Sequence, residues 1–394
     1  MQLAHRVLQL KPSATLATAT LAQELRASGR EIISLSVGEP DFDTPDYISQ
    51  AAIDAINEGF TKYTAVPGIM ELRKAVSDYF NKSGAGSLPE HVIISNGGKH
   101  CLYNLFQSAI NPGDEVLIPA PYWVSYPPMV ELAGGVAVIV PSGVKKHFKV
   151  TPADLERHRT PKTRMCIINS PSNPTGATYT QAELDALAQW AVDTRTFMVS
   201  DEIYEQLIYA PAEHASICPW WRKHPDNFAL INGVAKSYAM TGWRVGYMLA
   251  QHELIKACNK LQGQSSSNVC SIAQKAALAA LTIETDSREL MRQAFLRRRN
   301  LAMEIINTWP GVTCPTPDGA FYLFPDMHEL YTSNMPDSMT MCKALMDRAG
   351  VAMVPGEAFG DDNCLRLSYA TDDETLAKAL DRVGQVLFKN KSFG

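Results

Sequence analysis

The residues best suited to chemistry lie in a block that runs Ala235-Lys236-Ser237-Tyr238-Ala239-Met240-Thr241-Gly242-Trp243-Arg244-Val245-Gly246, directly after an apolar run. In an arbitrary place a lysine is a solvated surface cation. Lys236, however, leaves what reads as the carboxyl end of a strand, where open α/β sheets bind ligands. Its amine can form an imine with an aldehyde, and burial or a neighbouring cation lowers its pKa until it can act as a base. Arg244, eight residues on, offers a planar fork that matches a phosphate. Asp201, in Val199-Ser200-Asp201-Glu202-Ile203-Tyr204, also leaves an apolar run; such an acid most often caps a following helix, and otherwise needs a partner of its own. The stretch Asn169-Ser170-Pro171-Ser172-Asn173-Pro174-Thr175-Gly176 has the Asn, Pro and Gly density of a tight loop. In Ser95-Asn96-Gly97-Gly98-Lys99, small residues stand before a helix and leave its first amides open to an anion. Arg366 lies in a short apolar run, where it serves either a ligand or a structural ion pair.

These residues need a scaffold that gathers strand ends. From about residue 50 to 290, short apolar runs alternate with longer amphipathic stretches, which is the α/β signal. Strands are expected at 92–95, 115–119, 164–169, 197–200, 229–231 and 245–249, and helices at 99–110, 181–192 and 252–261. Several of the strands are almost continuous in Val, Ile and Leu, as in a mostly parallel sheet covered on both faces. The last third reads as a smaller α+β lobe: a basic helix at 291–306, strands at 320–324 and 365–369, and a closing helix from about 373. No internal repeat, low-complexity tract or Gly/Ser linker interrupts the chain. The expected division is a large α/β domain over 46–290 and a small domain made of 1–45 and 291–394.

The block from Lys236 to Gly246 resembles the signature of the class I, fold-type I aminotransferases that use pyridoxal 5'-phosphate, in the subgroup of bacterial aspartate and aspartate-prephenate aminotransferases. The resemblance covers nearly the whole chain, from Gly38-Glu39-Pro40-Asp41-Phe42 through Thr61-Lys62-Tyr63 to Leu365-Arg366-Leu367-Ser368. It implies that Lys236 holds the cofactor as a Schiff base and that Arg244 and the amides at Gly98 and Lys99 hold its phosphate. It implies that Asp201 keeps the pyridine nitrogen protonated so that the ring accepts electrons, that Asn173 and Tyr204 bind the ring oxygen, and that Trp123 stacks on the ring. Arg366 is then the bidentate clamp on the substrate α-carboxylate, with the backbone at Gly38 helping. Tyr63 matches a tyrosine that reaches the phosphate of a neighbouring subunit, which implies a homodimer with shared sites. Lys11 and Thr15, with Lys99, match residues that take a distal acidic group, so the resemblance points to aspartate or glutamate; the other reading of Lys99 is a counter-charge to the phosphate. One departure stands out: where relatives often carry a phosphate-binding serine three residues before the lysine, this chain has Gly233, and Ser237 or Thr241 are the candidates to compensate.

Composition narrows the alternatives. The 394 residues, with 46% hydrophobic and 20% charged side chains, suit an ordinary globular protein with a sizeable core. A net charge of −5 argues against a nucleic-acid partner, which needs a basic face. The eight cysteines form no Cys-x-x-Cys pair and there is no His cluster at metal-ligand spacing, so neither a metal site nor a disulfide framework is expected. The first residues lack a continuous apolar signal region, and no run of about 18 apolar residues occurs, so a cytosolic enzyme without a membrane partner is expected. The implied reaction is ping-pong transfer of an amino group between amino acids and 2-oxo acids. Prephenate or aromatic aminotransferase activity and a carbon-sulfur lyase remain open, since all share the cofactor residues. Transcription regulators on this fold carry an added DNA-binding domain, and none is expected here.

Overall fold

The computed structural model describes residues 1–8, 10 and 12–389. In chain order its strands are β1 (Ile33–Ser34), β2 (Val92–Ser95), β3 (Glu115–Ala120), β4 (Val136–Pro141), β5 (Thr163–Asn169), β6 (Phe197–Asp201), β7 (Phe228–Gly233), β8 (Gly246–Leu249), β9 (Tyr322–Leu323), β10 (Val351–Ala352), β11 (Val354–Pro355) and β12 (Leu365–Ser368). Seven of them form the central sheet, in the order β2-β8-β7-β6-β5-β3-β4. Only β8 runs against its neighbours, pairing antiparallel with both β2 and β7. The α/β class and the mostly parallel sheet expected from the sequence are what the chain forms. The edge strand β4 was not expected; of its six residues only Val140 is buried, and its parallel register with β3 defines it.

The apolar strands divide their side chains between two faces with the period of 2 that a pleated strand imposes. Leu117, Cys166, Ile168, Met198 and Leu230 pack to one side, with Leu72 and Val76 of helix Met70–Lys82 and Leu184 and Leu187 of helix Gln181–Thr194. Val116, Ile118, Met165, Ile167, Val199, Ala229 and Ile231 pack to the other, with Leu102, Leu105 and Phe106 of helix Gly98–Ala109. Burial on both faces is why these strands read as unbroken hydrophobic runs. Helix Gln181–Thr194 starts on a capping box, in which Thr180 accepts from the Glu183 amide and Glu183 accepts from Thr180.

A third cluster gathers Leu35, Phe295, Ile306, Tyr322, Leu345, Leu367 and Leu380 around the antiparallel sheet β11-β12-β9. The basic helix runs Ser287–Ile306, so the chain passes from the central sheet to these elements along a continuous helix. Arg298 on that helix forms a bidentate pair with Asp41 at 2.7 and 2.8 Å, and its guanidinium lies 5.2 Å from the Phe42 ring centroid. The N-terminal segment that carries Gly38 is thereby fastened to the C-terminal elements. Among the described residues no helix is long and apolar enough to cross a membrane.

Candidate active site

In an open α/β sheet the crevice for a ligand opens where the strand order reverses, here between β3 and β5. The loops leaving β2, β3, β5, β6 and β7 line a cavity of about 590 Å³, closed on its other side by residues from 13–19 and 37–39, Tyr322 and Arg366. Lys236, Asp201, Tyr204, Asn173, Trp123, Gly98, Lys99, Arg244, Gly38, Thr15 and Arg366 all line it. Lys11 lies outside the described residues, and Tyr63 is 90% exposed and does not line this cavity.

In the turn after β7, Lys236 points its Nζ at the Gly38 carbonyl oxygen, 2.5 Å away. Burial, with the Arg366 and Arg244 guanidiniums adding to it and Glu39 opposing, brings its ammonium down to about 8. Asp201 ends β6 with its carboxyl buried, and burial pushes it up to about 6 against the Tyr126 hydroxyl, which donates to Oδ2 at 2.7 Å. The alternative that Asp201 caps a following helix is not what the chain forms: a turn follows β6, and among the described residues Oδ1 accepts the Ile203 amide at 3.3 Å. The loop after β5 is docked by Asn169, whose Nδ2 donates to the Asp201 carbonyl and whose Oδ1 accepts from the Asn173 amide at 2.8 Å.

Arg366 is 2% exposed. Its Nη1 donates to Asn173 Oδ1 at 3.0 Å and its Nη2 to the Ser36 carbonyl at 2.6 Å, while the buried Nε has no partner among the described residues. Its bonds go to neutral oxygens, so a structural ion pair does not explain the burial. A buried guanidinium donor without an acceptor is costly, and a guanidinium that lines a cavity suits an anionic ligand. At the other end Gly97 takes φ +86° as the cap of helix Gly98–Ala109, and a Cβ there would meet Arg244 Nη2 at 2.5 Å. A Cβ on Gly246 would collide with the backbone of Gly97 and Gly98. Glycine thus lets Arg244 close over the free amides of the first helical turn, and Arg244 is itself held by the Thr241 and Asn96 carbonyls at 2.9 and 3.2 Å. Lys99 Nζ lies 5.0 Å from the Trp123 ring centroid; burial and then Arg244 lower its pKa.

The departure at residue 233 has a packing reason: a Cβ there would stand 3.0 Å from the Val245 carbonyl and 3.1 Å from Gly246 Cα, where β7 and β8 press together. Of the two candidates to replace a serine, Thr241 lines the cavity with its hydroxyl donated to Glu39, whereas Ser237 is not among the lining residues. Two lining tyrosines were missed from the sequence. Tyr126 lies one turn beyond Trp123 and meets it edge-on at 5.3 Å; Tyr322 joins Tyr204 by a 2.7 Å hydroxyl contact. No local motif marks either, and both are recognised only by the acid or phenol they touch.

Among the described residues one trio has metal-ligand spacing, Glu202, Glu205 and His214. The sequence reading found no such cluster because His214 stands twelve and nine positions from its partners. Glu202 already accepts from the Ser200 and Ser216 hydroxyls and Glu205 from Tyr79, and His214 Nε2 lies 3.3 and 3.4 Å from the two carboxylates. The carboxylates raise the His214 pKa against burial, so the trio is an internal charge network.

Comparison with known proteins places this geometry in context. The model for aminotransferase class I and II matches residues 30–383. The chain is 46% identical over 389 residues to an aspartate/prephenate aminotransferase of Cereibacter sphaeroides, covering 97% of each chain. It is 47% identical over 387 residues to an aspartate aminotransferase of Geobacillus stearothermophilus, covering 97% of this chain and 98% of that one. Its fold matches the Thermus thermophilus aspartate aminotransferase solved with maleate at a TM-score of 0.93, with 44% identity, over 98% of this chain and 100% of that one.

Proposed function

The chain belongs to the class I and II aminotransferases, moving an amino group between an amino acid and a 2-oxo acid, and we propose that its donors are aspartate and glutamate and its cofactor is pyridoxal 5'-phosphate. The observation that carries this reading is that Lys236, Asp201 and Arg366 share one cavity, in which burial lowers the Lys236 ammonium toward the range of a working base. The cavity fits the cofactor's chemistry: an anion-ready glycine cradle at one end, a buried carboxyl in the middle and a half-satisfied guanidinium at the other end.

When bound, pyridoxal 5'-phosphate supplies an aldehyde that captures the amino group and a ring that accepts the electrons released at the α-carbon. The Gly98 and Lys99 amides and Arg244 hold its phosphate, and Trp123 covers the ring. Asn173 and Tyr204 bind the ring oxygen. Asp201 gives its carboxylate to the ring nitrogen and keeps a proton there; the cation replaces the solvation that burial removes. Arg366 takes the α-carboxylate with its planar fork, fixing which bond at the α-carbon is exposed. Lys236, with an amine that titrates at about 8, removes the α-proton and returns it on the other side of the reaction, as a base near its working pH does. The second oxo acid reverses these steps.

Lys99 and Thr15, whose buried hydroxyl oxygen has no partner among the described residues, are assigned to the distal carboxylate, together with Lys11. The Thermus thermophilus relative was solved with maleate, a dicarboxylate, which supports this assignment. Tyr63, exposed on its own subunit, is assigned to the phosphate of a second copy in a homodimer. Residues 46–290 are assigned as the cofactor domain and 1–45 with 291–394 as the small domain. All eight cysteines are free, which supports a cytosolic enzyme.

The test is borohydride reduction of the cofactor-loaded protein followed by peptide mapping, then an acceptor screen with glutamate against oxaloacetate, prephenate and aromatic oxo acids. Covalent cofactor on Lys236 and transfer to oxaloacetate are expected. An adduct elsewhere, or consumption of amino acid without an acceptor, overturns the reading.

A further inference from the structure

We propose that Tyr322 is a positioning residue that couples the two ends of the site: its hydroxyl supports the Tyr204 hydroxyl, and its ring is one wall of the slot that fixes Arg366. The inference rests on the cofactor reading above and adds a residue that no motif marks.

Tyr322 is fully buried on β9. The register pairs it with Ser368 of β12, two residues from Arg366, so Tyr322 and Arg366 are diagonal neighbours on one sheet face, within reach of long side chains. The Arg366 guanidinium carbon sits 4.7 Å from the Tyr322 ring centroid and 5.0 Å from that of Phe359. Two aromatic rings therefore hold the guanidinium, while Asn173 and Ser36 take two of its donors. A flat cation held by rings keeps its orientation without spending the donors needed for a carboxylate.

The hydroxyl of the same residue points the other way. It meets the Tyr204 hydroxyl at 2.7 Å, and the two rings cross at 82° with centroids 5.7 Å apart. A Cβ on residue 38 would stand 2.7 Å from this oxygen, so Gly38 is the residue type that lets the N-terminal segment lie against it. That segment contributes both the Ser36 carbonyl to Arg366 and the Gly38 carbonyl to Lys236. Tyr322 thus touches the phenol, the backbone strap and the guanidinium at once. The charged and titratable groups around the pair are Arg366 on β12, Asp201 at the end of β6, Glu39 on the strap, and Lys236, whose Nζ is 5.9 Å from the Tyr204 ring.

With the ring oxygen of the cofactor as acceptor, Tyr204 donates outward and its own oxygen is free to accept from Tyr322. Donors in series strengthen one another. Arg366 works in the same direction, because its charge lowers the Tyr322 phenol against burial and makes it the better donor. The hydroxyl and the ring therefore have separable jobs, and conservative variants separate them.

The experiment uses the cofactor-loaded protein, with two readouts: the pH midpoint of the visible band of the bound cofactor, and the affinity for maleate followed by the change in that band. Tyr322→Phe keeps the ring, so maleate affinity stays within about twofold of wild type. Its band midpoint moves upward by a few tenths of a pH unit, the size expected when a charge-assisted bond loses roughly 10–30% of its strength. Tyr322→Leu shows the same midpoint shift and also weakens maleate roughly 2- to 30-fold, the range of one cation–π contact. An unshifted midpoint in Tyr322→Phe overturns the proposal, as does wild-type maleate affinity in Tyr322→Leu. If Tyr322→Leu does not fold, Tyr322→Phe alone still decides. Failure of the cofactor reading is a different result, seen in wild type as no visible band or an adduct away from Lys236.

Discussion

Arg366 and Arg244 stand at opposite ends of one cavity, and the chain builds their surroundings by opposite means. Arg366 is 2% exposed and walled by two aromatic rings, with two of its five N–H donors bonded inside the chain and its Nε without a partner among the described residues. Arg244 is exposed, bonded to the nearby Thr241 carbonyl and to the Asn96 carbonyl of a distant segment, and faces a helix start that glycine has stripped of side chains. At the first end, tertiary packing has set the geometry before any ligand arrives. At the second, backbone amides and a solvated cation wait for an anion to organise them. On the proposed assignment, a substrate that must enter and leave every turnover would meet a preformed clamp, whereas a cofactor that stays would meet a cradle it completes itself. The difference is one of preorganisation, which lowers the ordering cost of each binding event.

Lys236 lines the same cavity and on the proposed assignment serves both ends, so its loss is expected to have the largest effect. Lys236→Ala is expected to cut transamination of aspartate by about 10⁴-fold, the upper range for a positioned acid–base group, while maleate still perturbs the bound cofactor's spectrum. Near-normal turnover in that variant would mean that another group moves the proton.

The comparison itself is tested by a crossed pair of variants. Arg366→Lys keeps the charge and loses the fork, and it is expected to cost roughly 2 to 5 kcal/mol in substrate binding with cofactor content unchanged, because an ammonium cannot reproduce the bidentate donors that buried carboxylate and carbonyl oxygens accept. Arg244→Gln is expected to do the reverse: faster cofactor loss on dialysis with the amino-acid KM retained in the fraction still loaded. Equal cofactor loss in both variants would merge the two ends into one structural unit.

Asp201 sharpens the comparison from the middle of the cavity. Its carboxyl is raised from 3.8 to about 6 by burial, which corresponds to roughly 3 kcal/mol. The raised folded value means the folded state binds the proton more tightly than the unfolded one, so this stability is fully present below about pH 4 and lost as pH rises through 6. Without cofactor, Asp201→Asn should therefore melt higher than wild type above pH 6 and lose that advantage near pH 4, while the loaded enzyme loses activity. A pH-independent difference in melting temperature would place the effect elsewhere.

The smallest effect concerns specificity. Lys99 reaches over Trp123 from a position more open to water than Arg366, so Lys99→Ala is expected to slow aspartate and glutamate by about fivefold relative to alanine and phenylalanine. A uniform loss across these donors, with weaker cofactor retention, would make Lys99 a phosphate counter-charge instead.

How much of this was legible in the sequence follows from where each signal is stored. The strands β2, β5, β6 and β7 were visible because burial on both faces demands unbroken apolar runs, and Lys236, Asp201, Asn173 and Gly98 were visible because each stands within a few residues of such a strand end. The resemblance of the block from Lys236 to Gly246 supplied the family, which the match over residues 30–383 shows. The edge strand β4 was missed because its half-exposed residues carry no such demand. Whether Asp201 caps a helix was left open by the sequence, because the acid alone does not decide whether a helix or a turn follows the strand; a turn follows it. Tyr322, Tyr126 and the Glu202–Glu205–His214 network were likewise invisible, since their partners lie 118, 75 and about ten positions away in the chain. Types and local spacing determine which strand ends can carry chemistry. Which buried hydroxyl meets which phenol, and which ring covers which guanidinium, is decided only when β9 and β12 pair and the N-terminal strap is laid across them, because those contacts exist between segments that the chain's own order keeps apart.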